Sequence, residues 1–287
     1  MNIALVTDAV RPHLTHDDAP LPAAFARLGH RAVPADWADP GVDWASFDAI
    51  VIRSPWNYHE RWPEFDAWLA SVAHLRLFNP AQILRWNLTK SYLAEMADAG
   101  LPVIPTLRLP PDRDPDLTDA IARWGEIVVK PEIGAGGALT FRATAATRAG
   151  VQDAIRPRMA DGVGFLVQPF LPAIFAGEWS LVYLDGRYSH AVRKTGAAGQ
   201  FLIHEEHGGR VDPAIASPEL IAIADRIAAY VPDLPYARVD LLGDGADALL
   251  VELELVEPEL FLRYSGGGAE RLANAIIRRV RQPVSPA

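Results

Sequence analysis

The chain has 287 residues, of which 50% are hydrophobic and 22% charged, as is typical of a globular protein. This length predicts two or three lobes, each with a buried core. The formal net charge of −9 argues against nucleic-acid binding driven by phosphate neutralisation. The sequence contains no cysteine, which excludes disulfides, thiolate nucleophiles and cysteine-ligated zinc.

The chain also lacks the signs of secretion or membrane insertion. Residues 1–8 form an apolar run much shorter than the hydrophobic region of a signal peptide, with no basic segment before it. No stretch approaches the ~18 apolar residues of a membrane span. The sequence therefore predicts a soluble, cytoplasmic protein with no membrane partner.

Residues 1–80, here called the N-terminal lobe, alternate between strand and helix patterns. Strands are predicted at 3–6 and 47–52, and helices at 21–28 and 64–75. This order predicts a small parallel sheet, with ligands near the carboxyl ends of its strands. The segment Arg-Ser-Pro-Trp-Asn-Tyr follows the second strand, and its aromatic residues would either pack in the core or line a substrate mouth.

Residues 81–168, the central lobe, contain a glycine loop between two strand patterns. Gly134-Ala-Gly-Gly137 has few Cβ atoms, so its backbone amides could approach phosphate groups closely. It matches neither a Walker A nor a Rossmann fingerprint, and a plain hairpin turn is the alternative. Helices are predicted at 87–99, 117–124 and 147–159, and strands at 104–109, 126–130, 139–142 and 165–168.

Residues 169–287, the C-terminal lobe, begin with a hinge at Pro169–Pro172. Asp185-Gly186 predicts a tight hairpin turn between strands at 179–184 and 188–192. The sequence further predicts a mobile loop at 195–209, helices near 218–231 and 269–281, and strands around Asp240 and Glu252.

Several charged residues have the character of phosphate and nucleotide contacts. Lys130 ends a buried strand before a proline, and Lys90 lies near a predicted helix start; an ammonium at either position suits a phosphate oxygen. The Glu178 carboxylate could accept hydrogen bonds from ribose hydroxyls. Arg193 and Lys194 could neutralise a transferred phosphoryl group. The alternative for each of these residues is a solvated surface side chain.

Asp240, Glu252 and Glu254 are the predicted metal ligands. Glu252 and Glu254 are two apart on a strand, so both carboxylates should point to one face. Oxygen ligands of this kind suit Mg²⁺ held together with substrate phosphates. A solvated outer sheet face is the alternative, and Glu257 and Glu259 are placed outside the metal's ligands.

The identity and order of these residues resemble those of the ATP-grasp superfamily of carboxylate–amine ligases. The resemblance covers about residues 80–287. The N-terminal lobe looks like the domain that precedes ATP-grasp domains. The resemblance implies α+β lobes of the α/β class that clamp ATP, with Mg²⁺ held by Asp240, Glu252 and Glu254. It implies ATP contacts by Lys90, Lys130, Gly134, Gly136, Gly137, Gln168, Phe170, Leu171 and Glu178.

Two positions depart from the superfamily pattern. The last metal pair is commonly Glu-x-Asn, whereas this chain has Glu254 at the second position. Before the Gly-Gly of the loop, related ligases carry Phe-Arg-x-Asn, whereas residues 201–204 read Phe-Leu-Ile-His. Arg193 or His204 would have to replace part of the missing arginine contact, in a loop that would act as a lid over the phosphates.

A narrower resemblance concerns a bacterial subgroup that includes the O-ureido-serine cyclo-ligase of cycloserine biosynthesis. It rests on residues 53–60, Asn79-Pro80, residues 85–87 and residues 257–263. It implies an ADP-forming ligase that activates a small-molecule carboxylate as an acyl phosphate for attack by nitrogen. In the cyclo-ligase version, O-ureido-D-serine closes to D-cycloserine, with Arg53 and Arg263 as candidates for binding the substrate carboxylate.

Three other functions stay open on the sequence. One is an intermolecular amino-acid or peptide ligase. The second is a non-catalytic ATP-binding regulatory protein, which the two departures favour and the retained carboxylates oppose. The third is a kinase-like phosphotransferase. An apolar surface on the N-terminal lobe would suit a homodimer.

Overall fold

The computed structural model describes residues 1–134, 136–203, 207–231 and 234–282, and contains three sheets flanked by helices. The sheets follow one another along the chain, one in each of the three ranges named above. Within the described residues, no helix has the length and apolar character needed to cross a membrane. The exact limits of the three lobes stay a prediction.

The N-terminal lobe holds a four-stranded parallel sheet with the order β2-β1-β3-β4, as the alternating pattern predicted. The sequence reading missed β2 because it contains Pro34, which weakens a strand pattern but is tolerated on an edge strand. The elements are β1 (Asn2–Thr7), α1 (Leu21–Arg27), β2 (Arg31–Asp36), β3 (Ala49–Ser54), α2 (Trp62–Val72) and β4 (Leu77–Phe78).

An aromatic cluster forms the core on one side of this sheet. Phe65 is fully buried, and its ring centroid lies 5.2 Å from that of Trp37 and 5.1 Å from that of Tyr58. Phe65→Ala is expected to lower the free energy of unfolding by about 3–5 kcal/mol, because the cavity left behind cannot close fully. Urea denaturation measures this loss. Ile215→Ala, at a 95% exposed position, is the control and should change it by less than about 0.5 kcal/mol.

The central lobe holds a four-stranded antiparallel sheet with the order β5-β8-β6-β7. Helices α5 and α6 contribute Ile121, Val151 and Ile155 to its core, against Val129 and Phe165 of the sheet. The elements are β5 (Leu107–Leu109), α5 (Thr118–Trp124), β6 (Ile127–Pro131), β7 (Phe141–Ala143), α6 (Arg148–Ala160) and β8 (Phe165–Pro169).

The single helix predicted at 87–99 is wrong: the structure has two helices, α3 (Ala81–Leu88) and α4 (Tyr92–Asp98). Thr89 has an extended backbone, and the Lys90 amide donates instead to the Glu132 carbonyl at 3.1 Å. Lys90 therefore lies in the break between two helices and not in a first helical turn. Helix α4 packs with the C-terminal lobe, since the Tyr92 hydroxyl is 2.9 Å from the Leu253 carbonyl.

The C-terminal lobe holds a five-stranded antiparallel sheet with the order β11-β10-β9-β12-β13. The predicted hairpin is confirmed: Asp185 (φ 59°) and Gly186 (φ 70°) form its turn with left-handed backbone. The elements are β9 (Glu178–Leu184), β10 (Arg187–Thr195), β11 (Arg210–Ala214), α7 (Pro218–Ala228), β12 (Tyr236–Leu242), β13 (Leu249–Glu254) and α8 (Gly268–Arg281).

Candidate active site

A cavity of about 960 Å³ is lined by residues of all three lobes. Its walls come from the ends of β1 and β3, the glycine loop with β6 and β8, and one face of the sheet around β12. Among the predicted site residues, those on its lining are Lys90, Lys130, Gly134, Gly136, Gly137, Gln168, Phe170, Leu171, Glu178, Lys194, Asp240, Glu252 and Glu254.

One end of the cavity is apolar. Ile104, Val128, Phe170, Ile174 and Leu242 line it, next to the segment that joins the central and C-terminal lobes. Flat heteroaromatic rings bind well between such side chains.

All three lysines of the chain lie in this cavity. Of the 27 basic residues only Lys90, Lys130 and Lys194 are lysines, and each lines the cavity. Lys90 Nζ lies 3.0 Å from Glu252 Oε1 and 3.1 Å from the Gly134 carbonyl. The lysine is thereby held between the glycine loop and β13.

Lys130 differs from the other two lysines because no ion pair joins it to any described residue. Burial lowers its pKa and nearby Lys90 lowers it further, while Glu252 opposes this shift. An ammonium that is partly removed from water and faces a cavity is ready to bind an anion.

The glycine loop needs glycine at two of its positions. Gly136 (φ 62°) and Gly137 (φ 71°) have left-handed backbone, which side chains disfavour. Ala135 lies outside the described residues. In the predicted lid, residues 204–206 also lie outside them, whereas the ring of His207 is 3.1 Å from the Gly136 carbonyl. The lid role stays a prediction.

The three predicted metal ligands come together on adjacent strands. Asp240 of β12 lies opposite Glu252 of β13 in the strand register, and Glu254 lies on the same face as Glu252. Lys194 Nζ lies 3.1 Å from Asp240 Oδ2 and 2.7 Å from Glu178 Oε1. Lys194 therefore links the predicted metal ligands to the predicted ribose contact.

Asp240, Glu252 and Glu254 fit a Mg²⁺ ion that also takes ligands from phosphate and water. They do not form a complete set of protein ligands by themselves. Within the described residues, no three histidine, aspartate or glutamate side chains are arranged to hold a metal ion by themselves. Asp240 and Glu252 instead contact Lys194 and Lys90. Oxygen-only donors on neighbouring strands suit Mg²⁺, which takes one or two carboxylates and completes its coordination with phosphate and water.

Charges in the cavity set the protonation of these acids. Burial alone would raise the pKa of Asp240, but Arg238 and Lys194 outweigh it and hold that pKa well below its usual range. In Glu252, Lys90 and Lys130 likewise outweigh burial and lower the pKa. Burial raises the pKa of Glu254 to about 8, against the opposing charge of Arg238. Asp240 and Glu252 are thus the two acids held in the charged form that a metal requires.

Arg193, Arg53 and Arg263 do not line the cavity. Their positions therefore do not support the roles predicted for them in the reaction. Arg193 neighbours Lys194 on β10, and alternate strand residues point to opposite faces. Its guanidinium pairs with Asp244 at 3.1 Å and covers the ring of Trp179. This placement follows from the strand period, which the sequence reading did not apply to the pair.

Arg53 and Arg263 form ion pairs and hydrogen bonds between the N- and C-terminal lobes. Neither lines the cavity. Arg53 is fully buried, with its Nε 2.9 Å from Asp18 Oδ1. Arg263 Nη1 lies 3.0 Å from Asp17 Oδ1, and this guanidinium also pairs with Glu259. The hypothesis that these arginines bind the substrate carboxylate is therefore not retained.

Other cavity residues were missed by the sequence reading. Arg238 precedes Asp240 by two on β12 and so shares its face, and its guanidinium is 2.9 Å from Asp240 Oδ2 and also pairs with Glu254. Arg11 follows the carboxyl end of β1, pairs with Asp8 at 2.8 Å, and covers the ring of Trp56. The strand period and the end-of-strand rule were the available signals.

Glu257 and Glu259, which the sequence places outside the metal's ligands, also line the cavity. With His16, His59 and Arg11, they form what is here called the polar end of the cavity. This end has both signs of charge, as a binding site for a zwitterion requires.

Glu257 predicts a pH dependence of stability. Burial raises its pKa to about 7, although the Tyr58 hydroxyl and Lys90 favour its charged form. The folded protein thus binds this proton more tightly than the unfolded chain does, so the contribution is full below the usual value of 4.5 and is lost as the pH rises through about 7. The stability of wild type relative to Glu257→Gln should fall between pH 5 and 8. Urea denaturation across this range measures it, and parallel curves would contradict the assignment.

Comparison with known proteins places this chain in a family. Residues 3–79 match the family described as the N-terminal domain of D-cycloserine synthetase DcsG. The cycloserine biosynthesis protein DcsG of Streptomyces lavendulae is 35% identical over 97% of this chain and 99% of its own length. The crystal structure of D-cycloserine synthetase DcsG matches with a TM-score of 0.88 at 33% identity, over 98% of this chain and 100% of that chain.

More distant matches share the fold. An ATP-grasp protein of the RimK type from Sphaerobacter thermophilus matches with a TM-score of 0.71 at 20% identity, over 96% of this chain and 100% of its own. The ATP-grasp ligase PsnB, at 20% identity and a TM-score of 0.64, was solved with Mg and ADP and covers 97% and 98% of the two chains.

The fold is that of an ATP-grasp ligase, and the matches to DcsG and to ATP-grasp ligases confirm the predicted α/β class, superfamily and ATP-dependent carbon–nitrogen ligase activity. Two solved ligases of this fold hold Mg with ADP, or ATP, and ATP and Mg²⁺ are the cofactors that the resemblance implies. Within it, the chain belongs to the DcsG family.

Proposed function

We propose that this enzyme uses ATP to activate the carboxylate of O-ureido-D-serine as an acyl phosphate, with release of ADP. The ureido nitrogen bonded to the side-chain oxygen then attacks the acyl carbon and displaces phosphate, which closes the ring, and hydrolytic loss of the carbamoyl group as CO2 and ammonia gives D-cycloserine. The observation that carries the proposal is that apolar side chains, lysines with carboxylates, and further side chains of both charges line one cavity. The 35% identity to DcsG over nearly the whole chain supports this choice of substrate.

The nucleotide is proposed to bind between the central and C-terminal lobes. Its base would contact the apolar end at Phe170 and Leu171, and its ribose hydroxyls would contact Glu178. Its phosphates would lie at Lys90, Lys130 and the glycine loop. Lysine ammonium groups and backbone amides neutralise and position phosphates without a covalent step.

Asp240, Glu252 and Glu254 are proposed to hold Mg²⁺. Bound Mg²⁺ neutralises charge on phosphate oxygens during transfer. Arg238 and Lys194 keep Asp240 charged, because they outweigh the effect of burial on its pKa. Arg238 also faces the cavity beside these acids, where a guanidinium can neutralise the carboxylate and phosphoryl oxygens.

The acceptor substrate is proposed to bind at the polar end. Arg11, which is stacked on Trp56 and 26% exposed, replaces Arg53 and Arg263 as the candidate for binding a substrate carboxylate. Glu257 and Glu259 offer acceptors for an ammonium or ureido group. The cytoplasmic location, the homodimer and the absence of nucleic-acid partners stay predictions.

ADP release from ATP and Mg²⁺ with a substrate panel tests the proposal. The panel contains O-ureido-D-serine, its L-enantiomer, D-alanine, and γ-glutamylcysteine with glycine. Release with O-ureido-D-serine alone is expected. Release only with two separate amino acids or peptides would indicate an intermolecular ligase instead. Tight ATP binding without release for any compound would favour the regulatory protein.

A further inference from the structure

The segment that follows β13 has an unusual pattern of backbone hydrogen bonds. Its seven consecutive carbonyls, from Leu255 to Phe261, each lie within hydrogen-bonding distance of a side-chain donor. The donors, in the order of the carbonyls, are Asn79, Tyr236, Trp56, Arg53, Arg238 and His190, with His190 serving the last two.

These donors come from two lobes. Asn79, Trp56 and Arg53 belong to the N-terminal lobe, whereas the other three belong to the C-terminal sheet. The Arg53 Nη2 atom is 2.7 Å from the Pro258 carbonyl, and the Trp56 Nε1 atom is 3.1 Å from the Glu257 carbonyl. Side chains from both lobes thus fix the segment 255–261. The carbonyls of a β-strand would instead accept from backbone amides of the adjacent strand.

The next residues are fixed through their amides. Asp17 of the N-terminal lobe accepts from the Leu262 amide at 3.0 Å and from the Arg263 amide at 3.2 Å. Phe261, the last residue of the first set, has a left-handed backbone (φ 50°) and is almost fully buried. A non-glycine residue keeps this conformation when its surroundings determine it from several sides, because it costs about 1–3 kcal/mol.

Arg53 is the charged donor that is fully buried, as are the uncharged donors Asn79 and Tyr236. The Arg53 Nε pairs with Asp18 at 2.9 Å, and its guanidinium lies 5.0 Å from the ring centroid of Tyr236. No atom of Arg53 lines the cavity. The carbonyl that it binds lies between Glu257 and Glu259, the two acids at the polar end of the cavity.

We propose that Arg53 is a positioning residue that, with Trp56, fixes the segment 255–261 as a rigid wall of the acceptor-substrate end. By holding this wall in place, Arg53 fixes the positions of the Glu257 and Glu259 carboxylates relative to the acceptor substrate. The nucleotide end lies on other elements and is independent of it. The kinetic part of this inference rests on the proposed function, whereas the structural part does not.

Hydrogen exchange tests the structural part without any substrate. In Arg53→Lys, which keeps the charge but loses the planar fork, amide exchange across 256–265 should rise about ten-fold or more, while β6 and β8 stay unchanged. Trp56→Phe is the milder second variant, because it removes only the indole donor to the Glu257 carbonyl. Trp86→Phe, whose indole donates to Glu95 outside the cavity, is the matched control and should leave this segment unchanged.

Steady-state kinetics test the functional part with the substrate that wild type consumes. Arg53→Lys and Trp56→Phe should raise KM for the acceptor about ten-fold and leave KM for ATP within two-fold of wild type, whereas Trp86→Phe should change neither. Unchanged exchange across 256–265, exchange that rises throughout the protein, or an equal rise in both KM values would overturn the proposal. A wild type that turns over no panel compound would refute the proposed function and leave the exchange result standing.

Discussion

Replacing Glu252 by glutamine is expected to reduce ADP formation about 10²- to 10³-fold or more while the protein stays folded. Glu252 lies opposite Asp240, and Lys90 and Lys130 hold its carboxylate in the charged form. Glutamine keeps the shape and loses the charge that binds Mg²⁺. Steady-state ADP release at saturating ATP measures the effect.

The free energy of unfolding separates this loss from misfolding. Glu252→Gln leaves Lys90 without its partner at 3.0 Å, which should lower the free energy of unfolding by about 1–3 kcal/mol. Glu64→Gln is the matched control, because Glu64 pairs with Arg61 at the surface and lies outside the cavity. It should keep wild-type turnover. Turnover by Glu252→Gln above a tenth of wild type would show that Glu252 is not a metal ligand.

Lys130→Met is expected to weaken ATP binding about 10- to 100-fold and to leave the protein as stable as wild type or more so. Burial lowers the pKa of Lys130, so its charged form is disfavoured in the folded state. At neutral pH the ammonium therefore opposes folding, and methionine relieves this cost. Calorimetric titration with a non-hydrolysable ATP analogue and urea denaturation measure the two effects.

The three lysines supply an independent check on this assignment. Amine-selective acetylation can modify only the amino terminus, Lys90, Lys130 and Lys194, because the chain has no other lysine. Bound nucleotide with Mg²⁺ should protect Lys130 most. A Lys130→Met protein that loses stability and binds the analogue like wild type would contradict both parts of the prediction.

The sequence predicted this site well where one strand carried several of its residues. Glu252 and Glu254 could be placed on one face because side chains alternate along a strand. Lys130 could be placed at a strand end because a proline follows it. Lysine scarcity was a further signal that the sequence reading did not use: three lysines among 27 basic residues all line one cavity.

The predictions that the structure does not support concern residues with contacts between lobes or between distant segments. Local sequence patterns do not encode such contacts. Arg53 was assigned to the substrate because it follows a strand end, but Asp18 and the Pro258 carbonyl enclose it. No role beside the metal ligands was predicted for Glu257, which the Trp56 indole joins to the N-terminal lobe through its carbonyl. The break at Lys90 was missed because the amide finds its acceptor at Glu132, 42 residues further along the chain.

The fate of the carboxylate oxygen tests the central claim most directly. The substrate O-ureido-D-serine is labelled with ¹⁸O in both carboxylate oxygens and incubated with ATP, Mg²⁺ and the enzyme. If the carboxylate is activated as an acyl phosphate, the released phosphate carries one ¹⁸O atom and the ring product keeps the other. Unlabelled phosphate with both labels still on the organic molecule would show that this enzyme does not activate the carboxylate.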